Sequence, residues 1–415
     1  MAKKKQQQGK QVVALIEQST PGRATKTIQT WKTAIAAFEN PQNPMRKQLY
    51  DLYDDIMLDG QIEATWGKRR DAVLNRRLLF VRDEQKDETV TKLLNSPDMR
   101  RLIEELHKTI AYGYTLIQVN DIWYDEEQEC YRIDFDLIPR ANVHPEPEFE
   151  CISKAASSIT GDWLYMNPPL ANYMLGAGNY SDKGLFAKAA PYVIYKRGTM
   201  GDWSQFSEMF GMPFREAMYD AFDDQTRIKI EQMLNNWGAG MSMVHPKSVE
   251  IKLHETGGST SSSDVYDKFI EICDAGISKT ILGNTLTTEQ GDNGARSLGE
   301  VHQAEEDDKK KSDELFILSV LNAQFRSILK RFGINAKGGE IRYEKPDKDW
   351  DTLKKKWNVI GAVKAAVPVD DDYIYEEFDI PKPDDYEQRK EEMRSHPQTP
   401  PPTGEQLSAE FDFFA

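Results

Sequence analysis

Between Ser261 and Phe332 the apolar positions fall at helical spacing on both sides of a stretch rich in glycine, asparagine and threonine. From Asp264 to about Leu282, one set (Val265, Phe269, Ile272, Gly276) and a second (Tyr266, Ile270, Cys273, Ile277, Ile281) each recur every three to four residues. That periodicity predicts a helix roughly 27 Å long. Its polar edge is narrow (Asp267, Lys268, Glu271, Asp274, Lys279), so the helix is expected to sit between neighbours rather than on an open surface. The stretch from Asn284 to Arg296 cannot continue the helix. A loop of that length within a compact element usually carries function. Ser297 and Glu300 match a capping box, and Leu298, Val301, Leu315, Leu318, Leu321, Phe325, Ile328 and Phe332 continue a second helix to Gly333.

The same patterning organises the rest of the chain. Helices are predicted from Met45 to Leu58, Gln61 to Asn75, Asp87 to Asn95 and Met99 to Tyr112, with a strand over Leu78 to Arg82. Alternation over Thr115 to Trp123 and Cys130 to Leu137, around the acidic run Tyr124 to Glu129, predicts a hairpin, and weaker strands follow through His144, Ile152 and Trp163. Gly184 to Met212 is expected to be helical, bent or broken at Gly198 and Gly201 and stopped by Pro213. A helix from Asp224 to Trp237 and short strands at Met241 to His245 and Ser248 to His254 follow, then a flexible linker, Gly257 to Ser263. Beyond Gly333 come a strand, Gly339 to Tyr343, and helices over Asp347 to Ala365 and Tyr373 to Phe378. The proline-rich residues 381–415 are expected to be disordered, with Phe411-Asp412-Phe413-Phe414 as a possible docking peptide. The fold class is α+β, mostly helical.

Composition narrows the chemistry. The 415 residues carry a net charge of -15, with 39% hydrophobic and 29% charged side chains. A protein that grips DNA through its phosphates is normally basic. An acidic surface repels a passing polyanion, which suits a conduit better than a clamp, although acidic balance can equally serve solubility alone. There is no apolar run long enough for a membrane span, and three widely spaced cysteines without a CxxC pair predict neither disulfides nor a zinc site. No phosphate loop of the GxxxxGK[ST] type, HExxH or GxSxG is present, so no catalytic residues, metal or cofactor are expected. His302 with Glu305 and Glu306 could hold a divalent cation, but a solvated acidic face paired with Lys309 to Lys311 accounts for them as well. His107, His144, His245, His254 and His396 have no acidic partner at catalytic spacing. Arg69, Arg70, Arg76 and Arg77 could meet DNA or pair with acids such as Asp54, Asp55, Asp59 and Asp71.

Three segments together carry a resemblance. Ala111-Tyr112-Gly113-Tyr114 before a strand, Trp203 to Pro213 with its Trp, Glu and Gly-Met-Pro, and Ile277 to Glu289 followed by Gly294 to His302 resemble, in that order along the chain, the portal proteins of Mu-like tailed bacteriophages. The resemblance spans about residues 45 to 345 and implies a wing, stem, clip and crown. It divides the chain into an N-terminal arm and first helix (1–44), wing (45–183), first stem helix (184–213), clip (214–260), second stem helix (261–283), tunnel loop (284–296), long helix (297–333), crown (334–380) and tail (381–415). Asn284, Thr285, Leu286, Thr287, Thr288, Glu289, Gln290, Gly291, Asp292, Asn293, Gly294 and Ala295 would then line a channel, with Trp203, Phe206, Phe210, Phe269, Ile272 and Gly276 packing the stem. Gly276 would either let the stem helix bend or admit a closely packed aromatic ring. Asp224, Arg227, Trp237 and His245 would face docking partners at the clip. The implied assembly is a homo-oligomeric ring, a dodecamer, at one capsid vertex of a phage or prophage particle. Its implied partners are double-stranded DNA, the terminase large subunit, the major capsid and scaffold proteins and a head-tail adaptor. The contrasting readings are a terminase ATPase or nuclease partner, which the missing phosphate loop disfavours, and a non-viral helical scaffold.

Overall fold

Short capped helices pack on small sheets in the first of two units, residues 1–344; residues 345–415 form the second. The computed structural model describes residues 12–17, 25–147, 149–156, 158, 161–210, 215–220, 224–236, 242–246, 248–249, 259–284, 295–344, 350–367, 369–378, 380–383 and 385–395.

Three helices, α1 (Ile28–Phe38), α2 (Lys47–Ile56) and α3 (Gly60–Leu74), lead into β1 (Leu78–Arg82), β2 (Gln85–Lys86), α4 (Glu88–Leu94) and α5 (Pro97–Tyr112). Asp59 starts α3 by accepting from the backbone N–H groups of Gln61 and Ile62, and Ser96 with Pro97 at the first helical position starts α5. The predicted hairpin is β3 (Tyr114–Asp125) on β4 (Cys130–Leu137), and it is joined on its other side by β8 (Met174–Gly178). Between them, β5 (Val143–His144), β6 (Cys151–Ile152) and β7 (Trp163–Leu164) make a small antiparallel sheet.

Two long helices follow, α6 (Phe186–Phe210) and α8 (Ser259–Ile281). Between them lie β9 (Arg215–Tyr219), α7 (Asp224–Asn236) and β10 (Ser242–Pro246), with β9 and β10 parallel as a helix crossover requires. α6 runs unbroken through Pro191, Gly198 and Gly201, so the glycines do not break the helix. The strand β9 was not foreseen; Ser248 and Val249 are turn and coil, and the rest of the second predicted clip strand, with Gly211 to Phe214, lies outside the described residues.

A third long helix, α9 (Ala295–Val320), passes through a π-helical turn, Leu321–Phe325, into α10 (Arg326–Arg331). Because it already begins at Ala295, Ser297 lies inside the helix and not at its cap. The widened turn aims two amides at two sheets. Asn322 donates to the Ile341 carbonyl and accepts from the Ile341 N–H (2.8 Å each), completing the edge of β11 (Gly339–Tyr343). Gln324 does the same for Gly176 of β8, at 2.7 and 3.0 Å. β11 pairs along β1, Leu78 opposite Tyr343, so the strand expected to open the crown belongs to the first unit. Phe80, Leu102, Leu106, Ile117, Leu321 and Phe325 are among the buried residues of the core enclosed by these elements.

In the second unit α11 (Trp350–Ala366) and α12 (Asp371–Glu377) meet through Trp357 and Phe378, ring centroids 5.5 Å apart. A further helix, α13 (Tyr386–Ser395), replaces the disorder expected there. Its Glu, Arg and Lys content favours a helix, and Lys390 (2.6 Å) and Tyr386 (2.5 Å) both reach the Asp371 carboxylate. Those two groups, with Lys364 as a third hydrogen-bonding partner, hold the Asp371 carboxyl well below the usual carboxylate range.

Candidate functional site: the long helix pair and its root

The spacing of contacts makes α6 and α8 antiparallel. Tyr192 lies on Gly276, Tyr195 meets Phe269 (ring centroids 6.5 Å) and Phe206 meets Tyr266 (5.8 Å). At 1.5 Å per residue both helices are roughly 35 Å long. Only their root is embedded. Phe186, Ala187, Ala189, Ala190 and Val193 of α6, with Ile277 and Ile281 of α8, join a buried cluster containing Tyr53, Ile62, Trp66 and Tyr112.

The two apolar sets of α8 therefore have different fates. Cys273, Ile277 and Ile281 are buried against the chain itself, whereas Val265 (66%) and Ile272 (62%) stay exposed. Phe269 and Trp203, expected to be packed inside, are each more than a third exposed, since beyond the root no element of the described chain covers them. Phe206 is half-buried on Tyr266, and the side chain of Phe210 lies outside the described residues. Gly276 admits an aromatic ring: a Cβ there would lie 2.5 Å from the Tyr192 ring. Of the two roles open for this glycine, close packing is the one observed, and α8 is continuous through it.

Polar groups lock the root. Lys196 of α6 bridges Asp274 of α8 (2.6 Å) and Asp59 (3.2 Å). Burial works against its ammonium, but those carboxylates prevail and its pKa is raised. Gln61 donates to the buried Ser278 hydroxyl at 2.8 Å. At the end of α8, Arg69 donates to the Ile281 carbonyl (2.7 Å) and forks onto both oxygens of Asp313 (2.6 Å each). His107, fully buried and stacked on Trp66 at 4.7 Å, places Nε2 3.0 Å from the same carboxylate. Burial would raise the Asp313 carboxyl, but hydrogen bonds from Arg69 and His107 outweigh it and hold the pKa below its ordinary value.

This cluster corrects two sequence expectations. His107 does have an acidic partner, 206 residues away. Two of the four arginines reach α9: Arg69 of α3 takes Asp313, and Arg76, just past the end of α3, takes Glu314 (2.9 Å). Asp54 accepts from Tyr112, Asp55 from Arg197, and Asp59 caps α3, while Asp71 pairs with Arg70 of the cluster. No spacing rule would have paired them: Arg69 lies within α3 and Arg76 just past its end, so only the folded chain brings both to Asp313 and Glu314.

Of the expected channel residues, Asn284 is buried (3%) and hydrogen-bonded to Glu306 at 3.1 Å, so it belongs to the root; Ala295 opens α9. Thr285 to Gly294 lie outside the described residues. Of the expected docking residues, Asp224 and Arg227 are ion-paired at 3.4 Å on the exposed face of α7, Trp237 lies outside the described residues, and His245 is buried beside the Pro246 carbonyl (3.0 Å) and so is no surface residue. Side chains 301–305 are outside the description, while Glu306 pairs with Lys68 at 2.7 Å and Lys311 with Asp308 at 3.7 Å. Among the described residues no three His, Cys, Asp or Glu side chains gather as a metal site, and no helix is long and apolar enough to cross a membrane.

The family described as the portal protein of Mu bacteriophage matches residues 50–380, across the helix pair, its root and most of both units. The chain belongs to that portal family. The portal protein of Escherichia phage Mu is 34% identical over 110 residues, 26% of this chain and 21% of that protein. The Mu-like prophage FluMu protein gp29 of Haemophilus influenzae is 26% identical over 127 residues, 30% of this chain and 24% of that protein. The matches thus span about a fifth to a quarter of these two relatives. A solved HK97-family phage portal protein from Corynebacterium diphtheriae covers 75% of this chain and 99% of its own, at 11% identity and a TM-score of 0.36. Portal proteins are structural components of the phage particle.

Proposed function

We propose that the chain assembles as a homo-oligomeric ring, by family resemblance a dodecamer, at one capsid vertex. Through this ring double-stranded DNA is packaged and later ejected. Residues 45–183 form the wing, α6 and α8 the stem, 214–260 the clip that seats the terminase large subunit and then the head-tail adaptor, and 345–380 the crown. Residues 285–294 line the channel. The major capsid and scaffold proteins surround the ring, which assembles in the host cytoplasm before it becomes part of the virion. The chain is mechanical and not an enzyme; chemical energy comes from the terminase.

The observation that carries this reading is the portal-family match over residues 50–380. The helix pair supports it, because its root is locked while Val265, Ile272 and Trp203 present an apolar stripe that a neighbouring copy would cover. The net charge of -15 suits a wall that DNA slides past. Negative-stain images of the purified protein test it: a ring with a central hole is expected, and a compact particle without one refutes it.

A further inference from the structure

The chain leaving α8 is fastened to a single stripe of α9 at successive points. The Ile281 carbonyl is tied through the Arg69 guanidinium to Asp313 (2.7 and 2.6 Å). Gly283, at φ +91, rests on the Lys309 side chain; a Cβ there would lie 2.3 Å from Lys309 Cε. Asn284 Nδ2 donates to Glu306 Oε1, whose other oxygen pairs with Lys68. Positions 306, 309 and 313 recur at the three-then-four spacing that puts them on one helical face. As the chain advances from 281 to 284, its partners step back from 313 to 306, so residues 281–284 run antiparallel to α9.

The ties differ in strength. The Arg69–Asp313 pair is bidentate and nearly buried, with side-chain exposures of 11% and 2%. His107 supports the same carboxylate from below. Breaking one partner of such a pair strands a buried charge, so this link yields last. The Asn284–Glu306 hydrogen bond to a carboxylate is weaker than that bidentate pair. Gly283 sits between them at a positive φ that residues with side chains rarely adopt.

We infer that Arg69, Gly283, Asn284 and Glu306 are positioning residues that fix where the chain leaves the stem and bind that exit to α9. Exit and α9 shift together or not at all. Because α9 continues into the π turn whose Asn322 and Gln324 hold β11 and β8, the position of the exit is set by the body of the subunit. The consequence for DNA handling rests on the portal reading above; the fastening itself does not.

Hydrogen–deuterium exchange on the purified full chain tests this, comparing wild type with Asn284→Ala, Arg69→Met and Glu306→Gln. The amides of Leu282 and Gly283 should exchange about tenfold faster in Asn284→Ala and Arg69→Met, as expected for local opening after loss of a hydrogen bond. Glu306→Gln keeps an acceptor but loses the charge and the Lys68 pair, so exchange there should rise by less than in Asn284→Ala, and the β3–β4 hairpin should be unchanged in all three. Particles carrying Asn284→Ala should form rings yet retain less DNA than wild type. Wild-type exchange at Leu282 and Gly283 in Asn284→Ala overturns the inference; if Arg69→Met does not fold, Asn284→Ala decides alone. Absence of rings in the wild type would refute the portal reading and leave the exchange result standing on its own.

Discussion

Replacing Asp313 with asparagine keeps the shape of the side chain and removes its charge from a site where it is 2% exposed. Asparagine can accept from one nitrogen of Arg69, but its own NH2 then faces either the guanidinium or His107. The Arg69 charge is left without its counter-ion and only 11% exposed. Removing one partner of a buried pair costs about 3–5 kcal/mol, and the acceptor that survives places this change near 3. At roughly 2–4 °C per kcal/mol for a large domain, Tm should fall by about 6–12 °C. The effect should also depend on pH in one direction. The Asp313 carboxyl is held below its ordinary 3.8, so its contribution is complete above that value and disappears as pH falls through the lower folded value. Urea unfolding of both proteins at about pH 7, 5 and 3.5 should give a constant gap at the two higher values and a smaller one at the lowest. A gap under about 0.5 kcal/mol at neutral pH, in the range of surface pairs, or a gap that widens in acid, would refute this account of the root.

Two further substitutions test neighbouring parts. Ile272→Asp alters a residue that is 62% exposed in the subunit, so unfolding of the subunit should change by no more than about 0.5 kcal/mol. Native mass spectrometry should nevertheless show fewer rings, and undiminished rings would remove the α8 stripe from the subunit interface. Gln324→Ala withdraws both hydrogen bonds from Gly176 and should destabilise the subunit by about 1–3 kcal/mol. Exchange should quicken at the Gly176 amide and stay unchanged at Ile341, where Asn322 is intact; equal exchange at both would show that the two amides do not act separately.

Local signals carried most of the elements. Strict alternation over Cys130–Leu137 and the periodicity of α5 and α8 are properties of short windows; β4 and α5 formed within a few residues of the expected limits, whereas α8 begins at Ser259, inside the stretch expected to be a flexible linker. What eluded a linear reading was pairing at a distance. Nothing near Arg69 names Asp313, and nothing near His107 distinguishes a solvated imidazole from one sealed between Trp66 and a carboxylate. The two apolar faces of α8 looked equivalent because periodicity records greasiness and not which neighbour supplies the cover; Ile277 finds it inside the chain and Ile272 does not. Gly198 and Gly201 did not break α6 because a helix long enough to hold its own ladder tolerates a glycine at about 1 kcal/mol each. His245 on β10 was misjudged as a surface group because its strand partner, β9, went unrecognised.

The π-helical turn at Leu321–Phe325 introduces a slip in angular phase partway along a rod that is otherwise regular. Upstream of it the rod keeps time with α3 through Asp313 and Glu314; at the slip, Asn322 and Gln324 fall into step with two different sheets. Excising a single residue there would restore an ordinary helix and rotate everything downstream by about 100°. One half of the rod would stay in tune while the other lost both its sheets, so this short turn should be where the subunit least tolerates a change of length.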